Sequence, residues 1–380
     1  VFFLITSIMA AILWLAMALL PWRPWSVKES LESRGKDKFS PPDGKGLTVL
    51  IPARNEEKTL GKTLEAVRNQ GENIRIIVVD DCSSDNTHAV AQKAIGSSGM
   101  VLKGKPLPPG WIGKLWALEQ GFSRVDTPFV LLIDADILLR PGTVSSAMDF
   151  LRENHLDFLS LMARLRMENT VEKFFMPAFV YFFKLLYPFR LSNRPGTSIA
   201  AAAGGFILAR TEVLREVGAF RTLKDALIDD CTLASKVKGA GFKTWMGLTR
   251  SVVSMRRYDS MEDIWRMVKR TAFTQLRYSW ILLLLATLFM TLLFLWPACG
   301  PFSLDIHITL ICIAALLIMC ITYLPVLRYY DQPAVLALAL PVVATMYMAM
   351  TWSSAFSFQA GKGACWKDRC YKDGNYYEKT

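Results

Sequence analysis

FVLLIDADILLRPG, residues 129–142, carries a buried-strand pattern straight into two carboxylates. Five apolar residues precede Asp134 and Asp136, which are separated by Ala135, and the chain turns apolar again before Pro141-Gly142. A buried carboxylate costs several kcal/mol unless a partner compensates it. In one reading this is a strand end at which the two acids cap the next turn. In the other it is a cation or phosphate site at the carboxyl end of a parallel strand, where open α/β sheets hold their ligands. On a continuous strand Ala135 points away, and Asp134 and Asp136 share one face.

The flanking sequence repeats the theme. GLTVLIPARNE (46–56) predicts a strand and a loop, and Leu60, Leu64 and Val67 then recur at helical spacing. IRIIVVDDCSSDNT (74–87) is a β-branched run that ends in Asp80-Asp81 and a Ser/Asp/Asn turn able to cap the helix THAVAQKAI. WIGKLWALEQGF predicts a third helix, and PFVLLIDAD a third strand. Strands alternating with helices predict βαβ units, and uninterrupted apolar strands fit a sheet covered on both faces. Farther on, TVSSAMDFLREN, TEVLREVGAF and DCTLASKVKGAGF read as helices, with DFLSLMARLRM and FKTWMG as strands. SIAAAAGGFILAR is a small-residue strand or loop in which Gly204-Gly205 lets something approach the backbone.

Of the 380 residues, 52% are hydrophobic, and they are unevenly spread. Residues 1–20 carry no charge, and 280–298, 306–327 and 333–356 are three further apolar runs near the ~20 residues a bilayer crossing needs. The first run lacks a basic start and ends in PWRPW rather than a small-residue cleavage site, so an anchor over residues 1–22 is expected rather than a signal peptide. Residues 28–279 then form one catalytic-sized block, 280–357 about three membrane helices, and 358–380 a polar tail. Pro177, Pro188 and charges interrupt the aromatic stretch 173–190, which with 260–279 is expected to lie at the membrane surface. The net charge of +11 fits the positive-inside rule, anionic headgroups and a phosphorylated substrate. No nucleic-acid recognition module accompanies it, so nucleic acid is not an expected partner. The seven cysteines show no zinc-like spacing.

Asp80-Asp81, Asp134 with Asp136, and Asp229-Asp230 each fall at a strand end or helix start. Singly, each reads as a cap or turn. In order, with LIPARNEE, VVDDCSSDNT, GKLWALEQG, LIDADILLRPG, AAAGGFILAR and LIDDCTLASKVKGAG, they resemble the family 2 inverting glycosyltransferases across about residues 47–250. PLPPGWIGKLWALEQG, TAFTQLRYS and the membrane-flanked layout look most like the hopene-associated members. The resemblance implies an α/β fold, a Rossmann-like (GT-A type) nucleotide-sugar-binding domain with a mostly parallel sheet flanked by transmembrane helices. It also implies a multi-pass protein of the inner (cytoplasmic) membrane with the catalytic domain facing the cytoplasm.

The same resemblance implies roles. Pro52, Ala53, Arg54, Asn55, Glu56, Asp80 and Asp81 would hold the nucleoside of a nucleotide-sugar donor, with Asp81 accepting from the imide N–H of a uracil in a UDP-linked sugar. Asp134 and Asp136 would bind a divalent cation, Mg²⁺ or Mn²⁺, at the diphosphate. Lys114 would add charge there, or stand as a solvated lysine at a helix start. Asp230 would be the catalytic base that deprotonates a hydroxyl on a lipid acceptor of hopanoid or polyprenyl-like kind. Asp229 replaces the family's usual Glu. Gly204, Gly205 and Asp229 are further candidates near the acceptor or diphosphate. The polymer-making relatives' Q/R-x-x-R-W motif has no match in IWRMVKRTAFTQLRYSW, which favours a single transfer over a processive polysaccharide synthase. Arg266, Arg270, Gln275 and Arg277 are candidates for similar work, or form a basic helix resting on headgroups. GACWKDRCYKDG resembles a W-K-G-R segment of lipid glycosyltransferases, with Asp368 for glycine, so Trp366, Lys367 and Arg369 are candidates to close over the donor. Three spans after a cytoplasmic domain would put that tail outside, so either one apolar segment is re-entrant or the tail is external. A non-catalytic membrane scaffold or glycan-binding protein is the alternative of another class, and a binding-only relative has no need of Asp230.

Overall fold

The computed structural model describes residues 1–35, 38–40, 46–96, 99–361, 364–367, 369–372 and 375–378. The chain forms two compact units. One comprises residues 29–166, 191–257 and 365–380; the other comprises 1–28, 167–190 and 258–364.

The first unit is built on an eight-stranded sheet. Its strands are β1 (Leu47–Ala53), β2 (Ile74–Asp80), β3 (Gly99–Lys103), β4 (Phe129–Leu132), β5 (Ile137–Leu139), β6 (Phe158–Arg164), β7 (Ile207–Arg210) and β8 (Thr244–Ser254). Their spatial order is β3-β2-β1-β4-β7-β6-β8-β5. Pairings β1–β2, β2–β3, β1–β4 and β6–β8 are parallel, while β7 runs antiparallel to both β4 and β6. Strand alternation sends side chains to two separate cores. Val49, Ile51, Ile76 and Val78 pack with Leu60, Leu64, Val67, Ala147 and Leu151 on one face. Leu50, Ile77 and Val79 pack with Leu115, Leu118, Leu214, Leu233 and Val237 on the other. Both faces are therefore covered by helices, as the continuous apolar strands require. The helix Gly113–Phe122 lies so close to the sheet that a Cβ on Gly121 would come within 2.3 Å of Leu50 Cδ1.

The structure corrects the reading of LIDAD as one strand. β4 ends at Leu132, and Asp134–Asp136 lie in the connection to β5, outside any strand. The reason is topological: β4 lies between β1 and β7, whereas β5 pairs with β8 at the sheet edge. The chain must leave the ladder to travel between them, so the shared strand face does not orient the two acids.

In the second unit, four helices are long and apolar enough to cross a membrane: Phe2–Leu19, Trp280–Phe302, Ile306–Tyr329 and Ala334–Gln359. Among the described residues, the exposed large hydrophobic side chains all lie in this unit, Leu288 and Leu310 among them. That is the surface expected of helices solvated by lipid. Two buried polar side chains inside it bond to backbone carbonyls, as a bilayer favours: Trp14 Nε1 donates to that of Leu293 at 2.6 Å, and Tyr347 OH to that of Phe175 at 2.8 Å. The stretch that Pro177 seemed to break is one helix, Thr170–Leu186, started by a reciprocal cap between Asn169 and Glu172.

Candidate active site

The loops after β1 and β2 are stitched together. Arg54 Nη1 donates to the carbonyls of Asp81 and Cys82 at 2.8 and 2.9 Å, and the Asp81 amide donates to the Ala53 carbonyl at 2.8 Å. The Asn55 amide donates to Ser83 Oγ, and Asn55 Oδ1 accepts from the Ser84 amide at 2.9 Å. Glu56 is fixed through its amide to Thr87 Oγ1 at 2.7 Å. Arg54 and Asn55 thus brace the loop, while the neighbouring carboxylates face other groups. Asp80 accepts from the Ser83 amide at 3.1 Å and lies 3.3 Å from His88 Nδ1. Asp81 accepts from Arg369 Nη1 at 2.6 Å, and Glu56 pairs with Lys367 Nζ.

A second set of charges surrounds a small pocket lined by Pro52, Lys114, Asp134, Gly204, Asp229 and Asp230, with apolar walls that include Leu118, Ile207 and Phe220. Lys114 sits in the first turn of its helix, where the macrodipole disfavours a cation, so carboxylates must hold it. Its Nζ is 2.9 Å from Asp134 Oδ1 and 3.3 Å from Asp229 Oδ2. Burial works against its charge, but Asp134, Asp229 and Asp230 raise its pKa well above the usual lysine range. Asp229 and Asp230 open the helix Asp229–Gly239, where acids suit the dipole. Asp230 Oδ2 accepts from the Gly204 amide at 2.9 Å, and Oδ1 from the Cys231 amide at 2.7 Å. A carboxylate has about four lone-pair sites, so acceptor capacity remains. Burial and the Asp229 charge push Asp230 up to about 6, against the pull of Lys114. A Cβ on Gly204 would lie 2.9 Å from Lys114 Nζ, so a side chain there would crowd the lysine.

Asp136 is raised by burial, Asp134 and Glu56, and lowered by Arg256 and Lys367. Among the described residues, no group of three or more His, Cys, Asp or Glu side chains could hold a metal ion. Asp134 and Asp136 nevertheless fit a hard divalent cation that takes one or two protein carboxylates and completes its shell with water and substrate phosphates.

The other sequence candidates lie elsewhere. A Cβ on Gly205 would meet Ile137 and Ala163, so that glycine serves core packing. Arg266, Arg270, Gln275 and Arg277 belong to the apolar unit. There Arg266 pairs with Asp263 at 2.7 Å on its own helix, and Gln275 Oε1 accepts from Tyr187 OH at 2.7 Å. Trp366 ends a short strand, and its side chain, like Asp368, lies outside the described residues. Sequence reasoning did not single out His88 or Arg256; neither lies in a motif, and only the fold brings them to Asp80 and Asp136.

Residues 48–218 match the family model "Glycosyl transferase family 2". Over 106 residues the chain is 35% identical to 4,4'-diaponeurosporenoate glycosyltransferase of Staphylococcus aureus (strain MRSA252), a match covering 28% of each. It is 36% identical over 93 residues to the protein of that name in Staphylococcus haemolyticus, covering 24% of each. The matched stretch thus spans less than a third of the length of these relatives. Among solved structures, the mannosyltransferase of Pyrobaculum calidifontis in complex with GDP-Man and Mn²⁺ aligns with a TM-score of 0.53 at 18% identity, covering 93% of this chain and 98% of that one. At that identity the likeness establishes the fold. The α/β unit is GT-A-like in fold, and residues 48–218 within it are similar to the family 2 glycosyltransferases.

Proposed function

We propose that the protein is a membrane-bound inverting glycosyltransferase that moves a sugar from a nucleoside-diphosphate sugar to a hydroxyl of a lipid acceptor. The observation that carries this reading is the pocket in which Lys114, Asp134, Asp229, Asp230 and the Gly204 amide converge. One lysine among three carboxylates leaves an anionic excess suited to a cation-bound diphosphate. A buried acid raised to about 6 suits a base working near neutral pH. Asp230 takes the proton of the acceptor hydroxyl as its oxygen bonds to the anomeric carbon and the bond to the diphosphate breaks. One base and one displacement invert the sugar carbon. Lys114 exchanges a carboxylate for the diphosphate, and Asp80 and Asp81 hold the nucleoside, a uridine in our reading. Asp134 and Asp136 would hold Mg²⁺ or Mn²⁺, which when bound neutralises charge on the departing diphosphate.

The four apolar helices and the +11 charge support a multi-pass inner-membrane protein with the α/β domain in the cytoplasm. The anchor at 1–22 and surface-lying segments near 173–190 and 260–279 belong to that reading. The tail groups with the α/β unit, which favours a re-entrant apolar segment over an external tail in this reading. A carotenoid acid in the name of the staphylococcal relatives supports a hydrophobic acceptor, and a hopanoid is the acceptor class we favour.

The test is incubation of detergent-purified protein with a panel of labelled nucleotide-sugars and a membrane lipid extract, with and without chelator. A labelled lipid of one added sugar, formed only with free Mg²⁺ or Mn²⁺, is expected. Long polysaccharide, or activity indifferent to chelator, would overturn the corresponding part.

A further inference from the structure

Two cations near the end of the chain reach the two carboxylates that follow β1 and β2. Arg369 Nη1 donates to Asp81 Oδ2 across 288 residues, and Lys367 pairs with Glu56 across 311. Arg369 retains 3% of its surface and Asp81 none. This is an expensive arrangement for a mere tether, because a desolvated ion pair returns little net stability. The other oxygen is more telling. Asp81 Oδ1 is buried and accepts no hydrogen bond among the described residues. A buried acceptor left unsatisfied is costly, and a ligand N–H would satisfy it.

We propose that the C-terminal segment completes the donor site, and that Arg369 is a positioning residue that makes Asp81 select nucleobases whose ring nitrogen carries a hydrogen. The inference rests on reading the domain as a nucleotide-sugar binder. An ionised carboxylate only accepts hydrogen bonds. It matches the ring N–H of uracil, thymine or guanine and repels the ring lone pair that cytosine or adenine presents. Burial pushes the Asp81 carboxyl up, and Arg369 acts most strongly against that rise. Without the guanidinium the carboxyl gains affinity for a proton, and a protonated acid both donates and accepts and tolerates either kind of edge. Because Asp81 has no exposed surface, a base reaches Oδ1 only when the loop shifts to expose that oxygen while Oδ2 keeps its bond to Arg369.

The experiment measures equilibrium binding of UDP, GDP, CDP and ADP, with Mn²⁺, to the full chain in detergent. Wild type should prefer the tighter of UDP and GDP over CDP and ADP by roughly tenfold or more, and Arg369→Met should shrink that ratio below about threefold. Arg369→Lys should keep most of it. A purely structural Arg369 would weaken all four nucleotides in parallel and leave the ratio untouched, which overturns the proposal, as does a wild type without preference. Should Arg369→Met fold poorly, hydrogen exchange on wild type decides: UDP must change protection at the amides of Lys367 and Arg369, and no change sinks the idea. A wild type that binds none of the four defeats the nucleotide-sugar reading itself. Selective wild type with an equally selective Arg369→Met defeats only this inference.

Discussion

Asp80-Asp81 and Asp229-Asp230 are the same dipeptide in the same unit, yet the fold gives them different electrostatics. The first pair sits at the end of β2, where Asp81 faces the Arg369 guanidinium and Asp80 accepts from the Ser83 amide with His88 Nδ1 3.3 Å away. The second pair opens a helix and shares the single Lys114 with Asp134. The lesson is that composition does not assign a role to an acid. A carboxylate whose charge is balanced presents a fixed hydrogen-bonding edge. A carboxylate in an anionic cluster keeps affinity for a proton or a cation, which is what a base or a diphosphate site needs.

The largest test of that contrast is Asp230→Asn. Transfer should fall by ~10²–10⁴-fold, as for loss of a positioned base, while Mn²⁺-dependent UDP binding is retained. Product formation and nucleotide binding measured on the same preparation check it, and wild-type turnover in the Asn variant would erase the difference between the pairs. Next in size is stability. Asp81→Ala removes the carboxylate that pairs with the buried Arg369 guanidinium and should destabilise the domain by ~3–5 kcal/mol. Asp229→Ala removes a like charge from beside Asp230 and should stay within ~1 kcal/mol of wild type. Unfolding midpoints in one detergent compare the two, and equal losses would contradict the distinction.

A smaller effect sharpens the second pair. Asp230 acts as a base only when deprotonated, and its carboxyl is raised to about 6 by burial and Asp229. The active form is therefore present above that pH and is lost as pH falls through it, with kcat/KM dropping by about tenfold per unit on the acid side. Asp229→Asn removes the raising charge, so the acid limb should move to lower pH, by up to about one unit. A limb that stays in place would show that Asp229 does not tune its neighbour.

Much of the fold could be read locally. The alternation within LTVLIPA and IRIIVVD already assigns Val49 and Ile51 to one core and Leu50 to the other. Strand-then-helix order predicts the parallel half of the sheet, and four uncharged runs predict the apolar helices. β3 and β5 escaped this reading, because GMVLK is short and ILL merges into the apolar run around LIDAD.

Side-chain periodicity and turn chemistry act between near neighbours, so one chain of letters suffices to determine the layers, the helices and the acidic points at strand ends. Which strand β5 pairs with, which amide supports Asp230 and which cation faces Asp81 depend on contacts between residues far apart in the chain. Gly204 reaches Asp230 across 26 positions and Arg369 reaches Asp81 across 288. No local pattern encodes such pairings. They arise when the sheet order and the returning tail are formed together, and the tertiary structure alone turns two identical Asp-Asp pairs into different chemical environments.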